Sequence, residues 1–188
     1  EAKIEKFSKL GTTFLVKRFD RKGSQRVHFS SAMTMLGKKD GADMADGSSY
    51  LEIVSFLKAN GVRPQADLVE LWKRIVLSMA VSNTDDHYRN HGFILSEDGW
   101  ELSPLYDVNP DIYGEYLSLN VDSYNADISF DLAIESAKYY GLDKDEAVRL
   151  VALIKDIVRN NWQNLAKKYG IGRSEIDRMK AAFRACED

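Results

Sequence analysis

The chain has 188 residues, 44% hydrophobic and 29% charged, a composition that excludes a disordered polypeptide and points to a folded globular domain. A net charge of −3 and an isoelectric point near 5.7 argue against a broad cationic nucleic-acid surface, leaving room only for a local basic patch. No apolar run approaches the roughly 20 residues that span a bilayer, and the single cysteine, Cys186, excludes an internal disulfide, so a cytoplasmic location away from membranes is expected.

The chain opens at Glu1 instead of a methionine and soon enters the strand-like Phe14-Leu15-Val16, so it is expected to be a piece of a longer polypeptide. Residues 12–18 (TTFLVKR) are β-branched and aromatic, as a strand requires, and Asp20-Arg21-Lys22-Gly23 supplies a turn. Ser30 or Ser31 is placed to cap a short helix over 32–36, stopped by Gly37. A polar loop over 38–47 leads to a second helix over 50–59, begun by Ser48 or Ser49 and ended by Asn60-Gly61. From Asp67, apolar residues recur at three and four positions (Leu68, Leu71, Trp72, Ile75, Val76, Met79), which predicts a helix with one stripe in the core. That helix fades near Val81 and delivers the chain into Asn83-Thr84-Asp85-Asp86-His87. Gly92–Leu95 and Trp100–Leu102 flank an Asp98-Gly99 turn and read as the only hairpin. Helices follow over 130–140, from an Asp143/Glu146 capping box to about Tyr169, and after Ser174. The expected fold is mainly α with a small β-hairpin, the hairpin lying beside the polar cluster.

Asp85 and Asn90 stand five positions apart between a buried helix and the hairpin, and Asp107 follows directly after it. Phosphoryl transfer from ATP needs a carboxylate to orient the attacking hydroxyl, an amide oxygen for magnesium, and a second carboxylate between magnesium and the phosphates. Magnesium keeps several waters, so Asn90 and Asp107 suffice as protein ligands, and a hairpin is a simple way to bring them together. The spacing matches the catalytic loop of protein kinases, but the preceding His-Arg is missing and the later aspartate sits in Tyr-Asp-Val. Such spacing alone arises by chance, and Asx clusters commonly cap helices or close turns. The helix-loop-hairpin context and Asp107 favour a catalytic site. His87 is a second catalytic candidate, read as shaping the loop through backbone hydrogen bonds in preference to transferring a proton. Arg89 is left open between a phosphate and a neighbouring carboxylate.

Asn83-Thr84-Asp85-Asp86-His87-Tyr88-Arg89-Asn90, then Leu102-Ser103-Pro104-Leu105-Tyr106-Asp107-Val108, resembles the HipA family of bacterial serine/threonine kinases, toxins of toxin–antitoxin pairs. Val16-Lys17-Arg18-Phe19-Asp20-Arg21 resembles the family's hinge signature, and the three motifs occur in family order from about residue 13 onward. The resemblance implies the helical C-terminal lobe of a kinase-like fold: a hinge strand and start over 1–22, the catalytic helix, loop and hairpin over 62–110, and helices over 117–188. It implies Asp85 as the catalytic aspartate and Asn90 and Asp107 as magnesium ligands. Lys17 and Phe19 would offer backbone groups to adenine, with Asp20 near the ribose. It further implies an ATP- and magnesium-dependent kinase with a protein substrate, which among known members includes aminoacyl-tRNA synthetases, and a helix-turn-helix antitoxin through which DNA is reached. The glycine-rich loop and phosphate-binding lysine are expected before residue 1, so these 188 residues alone should fold yet transfer no phosphate usefully. Asp86 departs from the small residue common there. Two other classes remain open: a non-catalytic scaffold for an antitoxin, and a small-molecule kinase.

Overall fold

The central helix follows from its own sequence. In the computed structural model, which describes residues 2–9 and 11–187, Leu68, Leu71, Trp72, Ile75, Val76 and Met79 are all buried along one helix, α3 (Pro64–Ala80). It starts three residues ahead of the expected Asp67, because Pro64 occupies the first helical turn, where its missing N–H costs nothing and no apolar stripe has yet begun. Asp67 is itself buried, accepting Leu102 N–H at 2.9 Å, and so fastens the helix to the hairpin. Before it, α1 (Ala32–Met35) is capped by Ser31, and α2 (Tyr50–Asn60) by a complete Ser49/Glu52 capping box. Beyond the hairpin come α4 (Phe130–Ser136), α5 (Lys144–Lys168) and α6 (Arg173–Met179). Asp143 caps α5 by accepting Glu146 N–H at 2.8 Å, which is one half of the expected box.

Two apolar clusters form around α3. The larger takes Tyr50, Ile53 and Leu57 from α2, the α3 stripe, and Leu132, Ala133 and Val151 from α4 and α5. The smaller joins Ala80 and Val81 to Val158, Trp162, Ile176 and Phe183, with the Trp162 and Phe183 rings stacked at 4.2 Å. Cys186 closes it: its thiol donates to Ala80 O, and burial pushes the thiol's pKa up to about 11.

The reading of a single hairpin is corrected, since three separate antiparallel sheets are present among the described residues. β1 (Ala2–Ser8) pairs with β2 (Gly11–Val16), and β3 (Arg21–Lys22) with β4 (Gln25–Arg26). β5 (Phe29–Ser31) adds a third strand to the hairpin of β6 (Gly92–Leu95) and β7 (Trp100–Leu102), in the order β5-β6-β7. β1 escapes a period-two reading because its register shifts between Glu5 and Ser8. Gly92 is required where β5 crosses: a Cβ there would lie 2.3 Å from the Phe29 ring. No helix among the described residues is long and apolar enough to cross a membrane.

Trp72 is fully buried, and its indole N–H donates to Ala133 O at 2.9 Å, joining α3 to α4. Trp72→Ala should therefore destabilise the fold by about 3–5 kcal/mol. Urea denaturation is the measurement, and a midpoint within error of the wild type would remove Trp72 from the keystone position.

Candidate active site

α3 ends against Ser82, which adopts a left-handed backbone (φ +48) and turns the chain back along its own helix. The segment that follows is a run of turns, closed by Asn90 N–H on His87 O at 2.8 Å, and its side chains alternate between solvent and the interior from Asp85 to Asn90. Asp85 and Arg89 are exposed and His87 half-buried, while Asp86, Tyr88 and Asn90 point inward. Asp86 Oδ2 accepts from the Tyr50 hydroxyl at 2.8 Å and the Ser78 hydroxyl at 3.2 Å, and Asp86 Oδ1 lies 3.0 Å from His91 Nε2. The Tyr88 hydroxyl sits on the start of α2, accepting Ser49 N–H at 2.8 Å. Two helices and the first residues before β6 thus hold the loop from beneath.

That anchoring leaves Asp85 free. Its side chain is 80% exposed, while its backbone carbonyl is fixed by Asn90 Nδ2 at 2.9 Å and His87 N–H at 3.1 Å. His87 Nε2 lies 3.7 Å from Asp85 and 2.9 Å from the Arg89 guanidinium. Arginine carries only donors, so this nitrogen accepts, and the ring engages a side chain where a backbone partner was expected. Arg89 also pairs with Asp40. Asp107, with Ser82 one of two non-glycine residues with a left-handed backbone among the described residues (φ +58), is exposed, with Oδ1 held by Asn109 Nδ2 at 2.9 Å.

Two cavities meet at Arg89. One, of about 360 Å³, is lined by Asp85, His87 and Arg89 on one side and by Lys39, Asp40 and Asp43 on the other. The second, of about 890 Å³, runs from Lys17, Phe19 and Asp20 across Phe29 and Tyr106 to Asp107 and Arg89. Phe19, Phe29 and Tyr106 form an aromatic triangle with centroids 5.6 to 6.0 Å apart. The Tyr106 hydroxyl donates to Arg89 O at 2.6 Å, tying the Asp107 segment to the loop. Asp20 accepts from Arg18 at 2.6 and 2.8 Å and from Arg21 at 2.6 Å; the Arg18 hydrogen bonds above all hold its carboxyl down to about 2. The structure therefore gathers Lys17, Phe19, Asp20 and Asp107 in one cavity and Asp85 with His87 in the other. Asn90 lines neither; it is 4% exposed and braces the loop from within.

In the sequence Asp86 reads only as an added charge beside Asp85, and neither Tyr88 nor His91 carries a site signal. The inward parity of 86, 88 and 90 was the available signal. For Asp86, burial pushes the pKa up, but the His91 ring and the Tyr50 and Ser78 donors together outweigh it and hold the carboxyl below its usual range. A depressed folded-state pKa gives stability that is present above the unfolded value and lost as pH falls through the folded one. Asp86→Asn should cost on the order of 3 kcal/mol at pH 7, shrinking below about pH 4. Urea denaturation of both proteins at pH 7 and pH 3 measures this; a penalty equal at both would show that the charge contributes nothing.

The HipA-like C-terminal domain family matches residues 1–183. Two curated relatives are similar: "Putative kinase Y4mE" of Sinorhizobium fredii, 25% identical over 91% of this chain, and "Putative kinase" of Haemophilus influenzae, 28% identical over 77%. The matches take in 37% and 47% of those proteins, so this chain spans less than half the length of either. Among solved structures, HipA of the Shewanella oneidensis MR-1 toxin–antitoxin complex with HipB and operator DNA superposes with a TM-score of 0.76 at 19% identity, over all of this chain and 50% of that one. The mainly helical fold with its small antiparallel sheets is thus that of the C-terminal part of HipA. On its motifs, its fold and a match over nearly its whole length, the chain belongs to the HipA-like C-terminal domain family.

Proposed function

We propose that this chain is the catalytic lobe of an ATP- and magnesium-dependent serine/threonine protein kinase. The observation that carries the reading is the pair of cavities joined at Arg89, with a free carboxylate, Asp85, in one and Asp107 in the other. The larger has the chemistry of a nucleotide site: an aromatic floor for a purine, backbone groups of Lys17 and Phe19 beside it, and Arg89 and Asp107 at the rim. Among the described residues no three His, Cys, Asp or Glu side chains gather to hold a metal alone. A cation bound here therefore draws mainly on phosphate and water oxygens, which suits magnesium and not zinc. Asp107 would be its first protein ligand; Asn90, buried behind the loop with Nδ2 on the Asp85 carbonyl, would reach it only through Oδ1, the one side-chain atom of asparagine that ligates a cation. Magnesium, when bound, neutralises charge on the phosphates.

The protein's own groups do the rest. Asp85 accepts the hydrogen bond of a substrate hydroxyl entering the smaller cavity and orients it toward the phosphates. Arg89, between the two cavities, faces the transferring group. His87 holds the Arg89 guanidinium and does not take the proton itself, since its Nε2 is already an acceptor. The acceptor is a serine or threonine of a protein, such as an aminoacyl-tRNA synthetase, and a helix-turn-helix antitoxin is the regulatory partner, with DNA reached only through it. The assembly of the structural relative, HipA with HipB and operator DNA, supports that partner.

Radiolabelled ATP transfer by the full-length protein tests the activity. Asp85→Asn should slow transfer at least about 100-fold while nucleotide affinity changes little; near-normal transfer removes Asp85 from the mechanism. Asp107→Ala should abolish transfer and weaken ATP binding only when magnesium is present. Titration with ATP, with and without magnesium, separates the two effects, and an unchanged magnesium dependence would unseat Asp107 as a ligand.

A further inference from the structure

Three consecutive residues ahead of Asp85 each grip the segment that follows Asp107, and no sheet or helix ladder contributes to these grips. Ser82 O accepts Asp111 N–H at 3.0 Å, Asn83 Oδ1 accepts Asn109 N–H at 3.1 Å, and Thr84 Oγ1 donates to Asp111 Oδ2 at 2.9 Å. Asn83 is 1% exposed and cannot swing away cheaply. Its Nδ2 donates to Ser78 Oγ at 3.3 Å and its N–H to Ser78 O at 2.8 Å. Ser78 is the same residue that donates to Asp86, so Asn83 extends the buried polar network to the surface of the second cavity.

At the far end of this chain of bonds, Asn109 Nδ2 donates to Asp107 Oδ1 at 2.9 Å. An asparagine in a turn ordinarily bonds backbone groups nearby. Here the best bond goes instead to a neighbouring carboxylate, while Asp107 O lies at 3.5 Å. Asp107 also sits in the left-handed region (φ +58), where Asp and Asn are favoured among side chains but which still costs energy. The backbone directs the residue toward the cavity. A freely rotating, exposed carboxylate would remain a poor ligand, and the Asn109 bond removes that freedom.

We propose that Asn83 and Asn109 form a clasp that positions the Asp107 carboxylate, so that Asn109, acting through Asp107, sets how tightly a divalent cation is held. The clasp rests on the reading of Asp107 as a metal ligand. Each link has a distinct duty. Asn83 fixes the Asn109 backbone from the buried side. Asn109 orders one carboxylate oxygen and leaves the other for the cation. Groups that orient a metal ligand in this way typically change metal affinity 10- to 100-fold when removed.

The test is titration of Mn²⁺, read by its free-ion electron paramagnetic resonance signal, into the full-length protein with ATP. Wild type, Asn109→Ala, Asp107→Ala and the double variant are compared, each with a thermal midpoint. Asn109→Ala should weaken Mn²⁺ binding about 10-fold or more, while moving the midpoint by less than about 2 °C, because its side chain is exposed. On the Asp107→Ala background the same substitution should have no further effect, as expected of two residues acting through one contact. Asn83→Ala should reproduce the affinity loss at a larger stability cost; if that variant does not fold, the Asn109 variants carry the test. Unchanged affinity in Asn109→Ala, where Asp107→Ala has lost binding, overturns the clasp and leaves the metal reading standing. So does a further loss in the double variant, or a midpoint that collapses with Asn109→Ala. Unchanged affinity in Asp107→Ala, or no Mn²⁺ binding by the wild type, overturns the metal reading and the clasp together.

Discussion

A carboxylate withdrawn almost completely from water organises the candidate site. Burying Asp86 is costly unless its oxygens are fully engaged, and the fold engages them from three directions: Tyr50 at the start of α2, Ser78 in the last turns of α3, and His91 just before β6. Because each partner belongs to a different element, satisfying one side chain also fixes the relative placement of two helices and a strand. The neighbouring Asp85 inherits this order without being restrained itself. Its backbone is held by Asn90 and His87, and its own oxygens remain in solvent. An exposed carboxylate on a rigid base is the arrangement that the role proposed for Asp85 needs, and here the rigidity comes from the residue beside it.

The same economy extends to the second segment. Asp107 reaches the cavity rim because Tyr106 packs on Phe19 and Phe29 while its hydroxyl bonds to the Arg89 carbonyl. The floor of the larger cavity and the strut between its walls are therefore one side chain. Gly92 makes room for Phe29 beneath it, and Gly114 does the corresponding service for Thr84, where a Cβ would lie 2.2 Å from the threonine methyl. Neither glycine touches either cavity, yet each permits a contact that shapes one.

Much of the fold is legible in the amino-acid sequence. The α3 stripe and the hairpin with its Asp-Gly turn announce themselves through periodicity, because a buried helix and a two-residue repeat leave regular marks; Asp85, Asn90 and Asp107 are singled out only by spacing taken together with that context. The strand β1 does not announce itself, since its irregular register breaks the alternation where Phe7 falls. The first turn of α3 was hidden because Pro64, Gln65 and Ala66 carry no apolar signal. In the site, side-chain chemistry named the candidates but not their directions. Asp85 and Asp86 are the same residue type in adjacent positions, and only the packing of Tyr50, Ser78 and His91 decides which one faces water. Its spacing suggests Asn90 for its amide oxygen, while in the structure its amide nitrogen braces the loop. Spacing records which groups are near in sequence; it is silent on which bonds they have already made.

The alternation along residues 85–90 carries a consequence for how this stretch tolerates change in length. Inserting or deleting one residue between Asp86 and Asn90 would break the spacing that lets Asp86, Tyr88 and Asn90 reach their partners on α2, α3 and the Asp85 carbonyl at once. A substitution removes one anchor at a time; a change of length displaces several together. The spacing from the end of α3 to Asn90 should therefore be as constant among functioning relatives as the residues themselves. Changes in length belong in the turn at 96–99, where Glu97 and Asp98 are exposed.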